Sequence, residues 1–196
     1  MLETLKEPPK NVHATHSLPP TLTIPELLVD GSDGQFRLLI DNLVSLSIFL
    51  HDIRELFGES IGLGDSEYLI VTTIYYLGQH QEVNINDVAR RLGYSGSYIT
   101  KAVGKLENGG YVTKKTSSKD RRKVVVELTS KALEMLRSLK ALQQPTNNLM
   151  LQNFSKDEFD SLTELCSKLS HNSKKALALC THLSNMRAIT NAGART

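Results

Sequence analysis

Residues 84–129 read NINDVARRLGYSGSYITKAVGKLENGGYVTKKTSSKDRRKVVVELT, and their spacing decides the fold. Ile85, Val88, Ala89 and Leu92 fall at i, i+3, i+4 and i+7, the apolar stripe of an amphipathic helix, with Asn84 as its N-cap and Gly93 as its stop. Ile99, Ala102, Val103 and Leu106 repeat the template behind a Ser95 cap, and Gly109-Gly110 ends it. Only a few residues separate the two stretches, so they form a helix-turn-helix. After Gly110 the apolar period drops to that of a strand. Tyr111–Thr116 and Lys123–Leu128, rich in Val and Thr, are predicted strands joined by the polar, basic link Ser117–Arg122. A helix-turn-helix followed by a hairpin with a charged tip is a winged helix.

The flanks are helical. Thr129 caps a stretch with Leu133, Leu136, Leu139 and Leu142, which Pro145 should break or kink. Ser155–Glu158 is a capping box opening a helix with Phe159, Leu162, Leu165, Cys166 and Leu169. A further amphipathic piece with Ala176, Leu177, Cys180 and Leu183 runs to about Met186. Upstream, Phe36, Leu39, Ile40, Leu43, Leu46, Leu50, Ile53 and Phe57 keep helical spacing, while Val44, Ile48 and Phe49 add a second apolar face. A helix apolar on more than one side must be covered on more than one side, by the core or by another subunit. Gly58, Gly62 and Gly64 are expected to end it. A second helix is predicted from Asp65 to Gln79, with Leu69, Ile70, Thr73, Ile74 and Leu77 inward. Residues 1–25 hold five of the six prolines and read as a flexible arm, with Pro25 starting the first helix. His13 and His16 lie in that arm and lack further ligands nearby, which makes them a solvated pair.

Several function classes drop out. The chain has 196 residues, 40% hydrophobic and 22% charged, an ordinary globular composition for one domain with attached arms. Its longest nearly apolar stretch, Leu43–Leu50, contains two serines and is far short of a bilayer span, so no membrane partner is expected. The N-terminus carries Glu3 and Glu7 and lacks an apolar h-region, which argues against a signal peptide. Two cysteines make no disulfide framework, and a cytoplasmic protein is expected. Cys166 and Cys180 could bridge within one chain only if the helix broke at His171–Ser173 and folded back; buried, inert thiols are the default. No P-loop, GxGxxG, HExxH, GxSxG or paired CxxC occurs. Neither an enzyme, a cofactor nor a metal is expected.

Charge points to a polyanion. From Asn84 to Val126 ten Lys or Arg face three acids, a local net charge of +7 on a chain whose total is +2. With its apolar stripe buried, the second short helix presents Ser97, Tyr98, Lys101 and Lys105, with Thr100 at the edge. These side chains offer donors to phosphates and base edges of double-stranded DNA. Ser95 and Ser97, near the positive helix N-terminus, suit a phosphate. In the hairpin tip Asp120 sits among Lys119, Arg121, Arg122 and Lys123. Arg122 is the residue expected to enter a minor groove, whose narrowness deepens its negative potential, and Asp120 the one that orients a neighbouring Arg.

The segment GYVTKKTSSKDRRKVVVELT resembles the wing of the MarR family of bacterial winged-helix regulators. The family pattern of Gly, two apolar residues, a basic residue, Asp-x-Arg and Leu-Thr is met by Gly110, Tyr111-Val112, Lys114, Asp120 with Arg122, and Leu128-Thr129. The upstream run INDVARRLGYSGSYITKAVGKLENGGYV is similar to the family's two helices in length and order, and the resemblance spans about 36–170. Two departures stand out: Lys114 where Arg is common, and Gly104 where a polar residue is common. A glycine inside a helix costs about 1 kcal/mol against Ala.

The resemblance implies a mainly α fold with a small β-hairpin wing, in which a winged helix-turn-helix is joined by dimerisation helices. The expected map is an arm at 1–25, an N-terminal dimerisation helix at 26–64, the DNA-binding domain at 65–128, C-terminal dimerisation helices at 129–190 and a frayed tail at 191–196. It further implies a homodimer on a pseudo-palindromic operator, acting as a repressor, with Lys114 among the DNA contacts. A small aromatic or phenolic ligand would release it from a pocket between dimer helices and winged domain, where His51, Arg54, Tyr68 and Tyr75 could line the site. Two alternatives stay open: a cysteine redox-responsive regulator, and a winged-helix protein-interaction module without specific DNA binding.

Overall fold

The computed structural model describes residues 18–193, and the chain parts into two compact units between Leu139 and Lys140. His13 and His16 lie outside the described residues. In the first unit, α1 (Gly34–Glu59) is followed by α2 (Asp65–Gly78), α3 (Ile85–Leu92) and α4 (Gly96–Asn108), then by the wing strands β1 (Val112–Thr116) and β2 (Val124–Leu128) and by α5 (Ser130–Ser138). The strands pair antiparallel with Val112 opposite Leu128 and Thr116 opposite Val124. The Val83 carbonyl accepts from Val126 N–H at 2.7 Å, so the link before α3 lies along the far side of β2.

The periodicities explain the core. Ile70, Val71 and Ile74 of α2, Val88 of α3, and Ile99, Val103 and Leu106 of α4 converge with Val112 and Val126 of the wing; all nine are essentially inaccessible. Each such side chain contributes about 1.5–3 kcal/mol on burial. Leu69 and Leu77, expected inward, are half-buried, and Tyr68 and Val71 take the inward places beside Thr73. Local chemistry sets the ends. Asn84 and Asp87 cap α3 reciprocally, each side chain accepting the other's N–H at 3.1 Å. Gly93 and Gly110 end α3 and α4 with φ near +73°, a conformation that costs glycine nothing.

Several expectations change. Residues 19–21, assigned to the flexible arm, are fastened to the start of α1. Asp33 accepts from Thr21 N–H at 2.6 Å, Thr21 Oγ1–H at 2.9 Å and Arg37 Nε–H at 2.9 Å, and Arg37 also donates to the Pro19 carbonyl. The Arg37 guanidinium and the Thr21 N–H hold the Asp33 carboxyl well below the usual carboxylate range. Pro25 opens only a single 3-10 turn, Pro25–Leu27. The chain then reverses at Asp30-Gly31, both with positive φ, where Val29 and Ser32 exchange backbone hydrogen bonds, and α1 starts at Gly34.

Gly58 does not end α1. It lies buried in the last turn, where a Cβ would sit 2.9 Å from the Leu63 carbonyl oxygen, so its role is close approach, and Gly62 with φ +74° makes the reversal. At the other end of the unit, α5 belongs with the winged helix rather than with the C-terminal helices. Ala132 and Leu139 are buried, and Thr129 binds Gly110 and Tyr111 through its hydroxyl and N–H.

The second unit holds α6 (Lys140–Met150) and α7 (Lys156–Gly193). The helical run after Thr129 is interrupted at Leu139, and Pro145 sits inside α6. Its missing N–H leaves only the Ala141 carbonyl without a helical donor, and Ala141 is exposed to water, so the cost is small. Ser155 and Glu158 cap α7 reciprocally, at 2.8 and 3.2 Å. The helix then runs unbroken for 38 residues through His171–Ser173 and covers 191–193, which were expected to fray. Cys166 and Cys180 stand about 21 Å apart along it and cannot bridge within the chain; both are exposed rather than buried. Phe159, Leu162, Cys166, Leu169, Ser173, Ala176, Cys180 and Leu183 follow alternating spacings of three and four, a seam of the coiled-coil kind. Every described side chain of α7 is exposed in the single chain. Among the described residues no helix is long and apolar enough to cross a membrane.

Candidate nucleic-acid interface

The first unit carries two exposed, polar elements. On α4, burial of Ile99, Val103 and Leu106 leaves Ser97, Tyr98, Thr100, Lys101 and Lys105 facing water. Ser95 is the N-cap, its Oγ accepting from Tyr98 N–H at 3.2 Å and lying 3.1 Å from Ser97 Oγ. Thr100 donates to the Gly96 carbonyl at 2.8 Å. Tyr98 is held by ring contact with Tyr94, with centroids 5.0 Å apart. Lys101 makes no ion pair among the described residues. Gly104 lies one turn beyond it on the same face, and a Cβ there would meet nothing within 4 Å.

Two of the expected cations are committed inside the chain. Lys105 Nζ reaches Glu67 of α2 at 2.6 Å, and Lys114 Nζ reaches Glu107 of α4 at 2.6 Å. The Lys105 ammonium holds the Glu67 carboxyl below its ordinary range, helped by the Gly64 N–H, and Glu67 in turn raises Lys105. Both are surface pairs, with the Lys105 side chain 77% and the Lys114 side chain 33% exposed.

The wing tip is ordered by hydrogen bonds rather than by packing. Ser117 is buried, and its Oγ accepts from Lys119 N–H and Asp120 N–H, each at 3.1 Å. Asp120 accepts from Arg122 N–H at 3.0 Å and lies 3.6 Å from Arg122 Nε, so the Asp orients Arg122 itself. The Arg122 side chain is 93% exposed, and Lys119, Arg121 and Lys123 are exposed around it. Sequence reasoning missed Glu82, whose carboxylate accepts from Ser117 Oγ–H at 2.5 Å, Ser118 N–H at 3.0 Å and Ser118 Oγ–H. These hydroxyls, Ser117 first, hold Glu82 below the ordinary glutamate range. No local pattern announces a contact made across 35 residues of chain.

The four residues named for an effector pocket do not come together. Tyr68 is buried in the core, edge-on to Phe57. His51 and Arg54 meet Asp65 at 3.5 and 3.6 Å near the start of α2. Tyr75, near the other end of α2, lines a cleft of about 490 Å³ with Gln79, Glu82, Val125, Leu133 and Arg137. His51, Asp52 and Glu55 also place ligand atoms within 4.8 Å of one another on α1; all three are exposed, and the grouping by itself assigns no metal.

The MarR family model matches residues 61–123, the span from the α1–α2 turn through the wing tip. The uncharacterized HTH-type transcriptional regulator YfiV of Bacillus subtilis (strain 168) is 32% identical over 127 residues, covering 59% of this chain and 79% of that protein. Among solved structures, a MarR/EmrR family transcriptional regulator from Acinetobacter sp. ADP1 superposes with TM-score 0.59 at 20% identity, over 71% of this chain and 96% of that one. A MarR protein from Peptoclostridium difficile DA00132 gives 0.57 at 22%, over 82% and 95%. The S. aureus MepR–DNA complex gives 0.52 at 15%, over 75% and 97%. With the cap, turn and wing chemistry in place and a regulator this similar along most of its length, the chain belongs to the MarR family of winged-helix transcriptional regulators.

Proposed function

We propose that the chain binds double-stranded DNA as a homodimer at a pseudo-palindromic operator and represses transcription there. The observation that carries this is the pairing of an exposed Ser97–Tyr98–Lys101 face on α4 with an Asp120-oriented Arg122 at the wing tip of the same unit. A helix of this width enters a major groove, and an Arg beside it suits the adjacent minor groove. Ser95, Thr100, Lys105, Lys114 and Asp120 act mainly by holding that surface in shape, with Lys119 and Arg121 on phosphates. S. aureus MepR, of the same fold, is described in complex with DNA. The second copy docks on the apolar faces that one chain leaves bare: Leu39, Val44, Leu46 and Phe49 on α1, and the α7 seam.

A small ligand relieves repression. The cleft beside Tyr75 joins apolar side chains to Arg137 and to the carboxylates of Glu82 and Glu127, a lining that suits a neutral phenolic ligand better than an acid. Of the four residues expected there, Tyr75 alone lines it.

The test is capture of fragmented source-genome DNA by the purified protein, with sequencing of what stays bound. An enriched inverted repeat with half-sites about 34–36 Å apart is the expected result. Binding should also weaken steeply with salt, in proportion to the phosphates neutralised. Uniform recovery without a motif, or salt-insensitive binding, would favour an interaction module instead.

A further inference from the structure

Glu82 lies on the link between α2 and α3, half-buried, at the root of the wing. A carboxylate is a costly choice beside a cationic surface built for a polyanion, because it repels the ligand that the surface attracts. What it does instead is geometric. Its oxygens accept three hydrogen bonds from Ser117 and Ser118, the residues where β1 turns into the tip. Ser117 passes the constraint on, since its Oγ accepts the Lys119 and Asp120 N–H groups while its own N–H donates to the Lys123 carbonyl at 2.9 Å. Asp120 then fixes Arg122. An unbroken chain of contacts thus runs from Glu82 through Ser117 and Asp120 to Arg122, whose side chain is 93% exposed. An isolated two-stranded hairpin is marginal, and ordering a loose tip at the moment of binding costs affinity. Hydrogen bonds to an ionised acceptor are about twice as strong as neutral ones, which favours Glu over Gln at this position.

We propose that Glu82 is the positioning residue of the wing: by latching Ser117 and Ser118 it presents Arg122 to DNA in a preformed orientation, and its contribution to binding is made through Arg122. The proposal rests on the reading of the wing as a DNA-contacting element. Three measurements on the full-length chain separate the two. Without DNA, Glu82→Ala should speed amide exchange at Ser118, Lys119 and Asp120 by about tenfold, and Glu82→Gln by less, while the amides of α4 stay as they were. With a mixed-sequence duplex, fluorescence anisotropy should show Glu82→Ala binding about tenfold more weakly, although it removes a negative charge. In an Arg122→Ala background the same substitution should have no further effect. Unchanged exchange at the wing root, tighter binding by Glu82→Ala as charge removal alone requires, or equal weakening with and without Arg122 would each overturn the proposal. A wild-type chain that binds no duplex would overturn the DNA reading of the wing, while the exchange comparison would still decide whether the latch exists.

Discussion

The winged-helix unit and the long helix α7 spend their apolar residues in opposite ways. In the first, Ile70, Ile99, Val103 and Leu106 vanish from solvent among their own neighbours in the chain. In α7, Leu162, Leu165, Leu177 and Leu183 stay 42–69% exposed along 38 residues of continuous helix. Good caps and spacing are enough to write a helix, but most helical stability in a protein comes from covering an amphipathic face. The core of α2–β2 is covered within one chain, whereas α7, like the outer face of α1, leaves its apolar side chains bare, and on the function proposed above a second copy covers them.

The largest effect should come from breaking the second half of that comparison. Leu162→Asp with Leu169→Asp puts charges on the α7 seam, and sedimentation equilibrium should show the dimer replaced by monomer. Operator affinity should fall by two orders of magnitude or roughly so, because two linked half-site contacts become independent. The winged helix of the variant should still melt cooperatively; loss of all structure would mean that the first unit is not complete by itself. Breaking the first half instead, Ile99→Ala should cost about 2–5 kcal/mol, read by denaturant titration of the winged unit. Charge on the seam and a cavity in the core thus separate assembly from folding.

Smaller effects sharpen the contrast between the two DNA-facing elements. Arg122→Ala should weaken binding to every duplex by about tenfold and make the salt dependence shallower by roughly one phosphate contact. Lys101→Ala or Tyr98→Ala should hurt the cognate operator more than mixed DNA; equal losses on both would show that α4 positions rather than reads. The smallest change is Gly104→Ala. Nothing lies within 4 Å of its missing Cβ, so the free protein should gain up to about 1 kcal/mol, seen as a higher melting temperature. If DNA binding falls at the same time, the bare backbone at Gly104 is there for close approach to the groove.

Legibility followed the distance over which each contact acts. Asn84 with Asp87, Ser155 with Glu158, and Ser95 with the Tyr98 N–H are caps closed within three residues, and each could be read from spacing alone. The Asp30-Gly31 reversal is equally local, but a proline at a helix start predicts the first helix at Pro25, where only a 3-10 turn forms. Glycine usually ends a helix, so the sequence predicts a stop at Gly58; only the Leu63 carbonyl folded against it reveals a helix interior that excludes a side chain. Spacing predicts Lys105 and Lys114 as free cations because their carboxylate partners are 38 and 7 residues away, on other elements.

The order of elements, the amphipathic faces of α3 and α4, the wing and its cationic tip are all legible in the chain, because periodicity, capping and turn chemistry are settled by near neighbours. Which charges are paired, which glycine marks a close approach, where the clefts open, and that Glu82 meets Ser117 and Ser118 come from the folded chain alone. Those depend on which distant groups share a neighbourhood, and a hydrogen bond or ion pair between elements leaves no period in the chain that makes it.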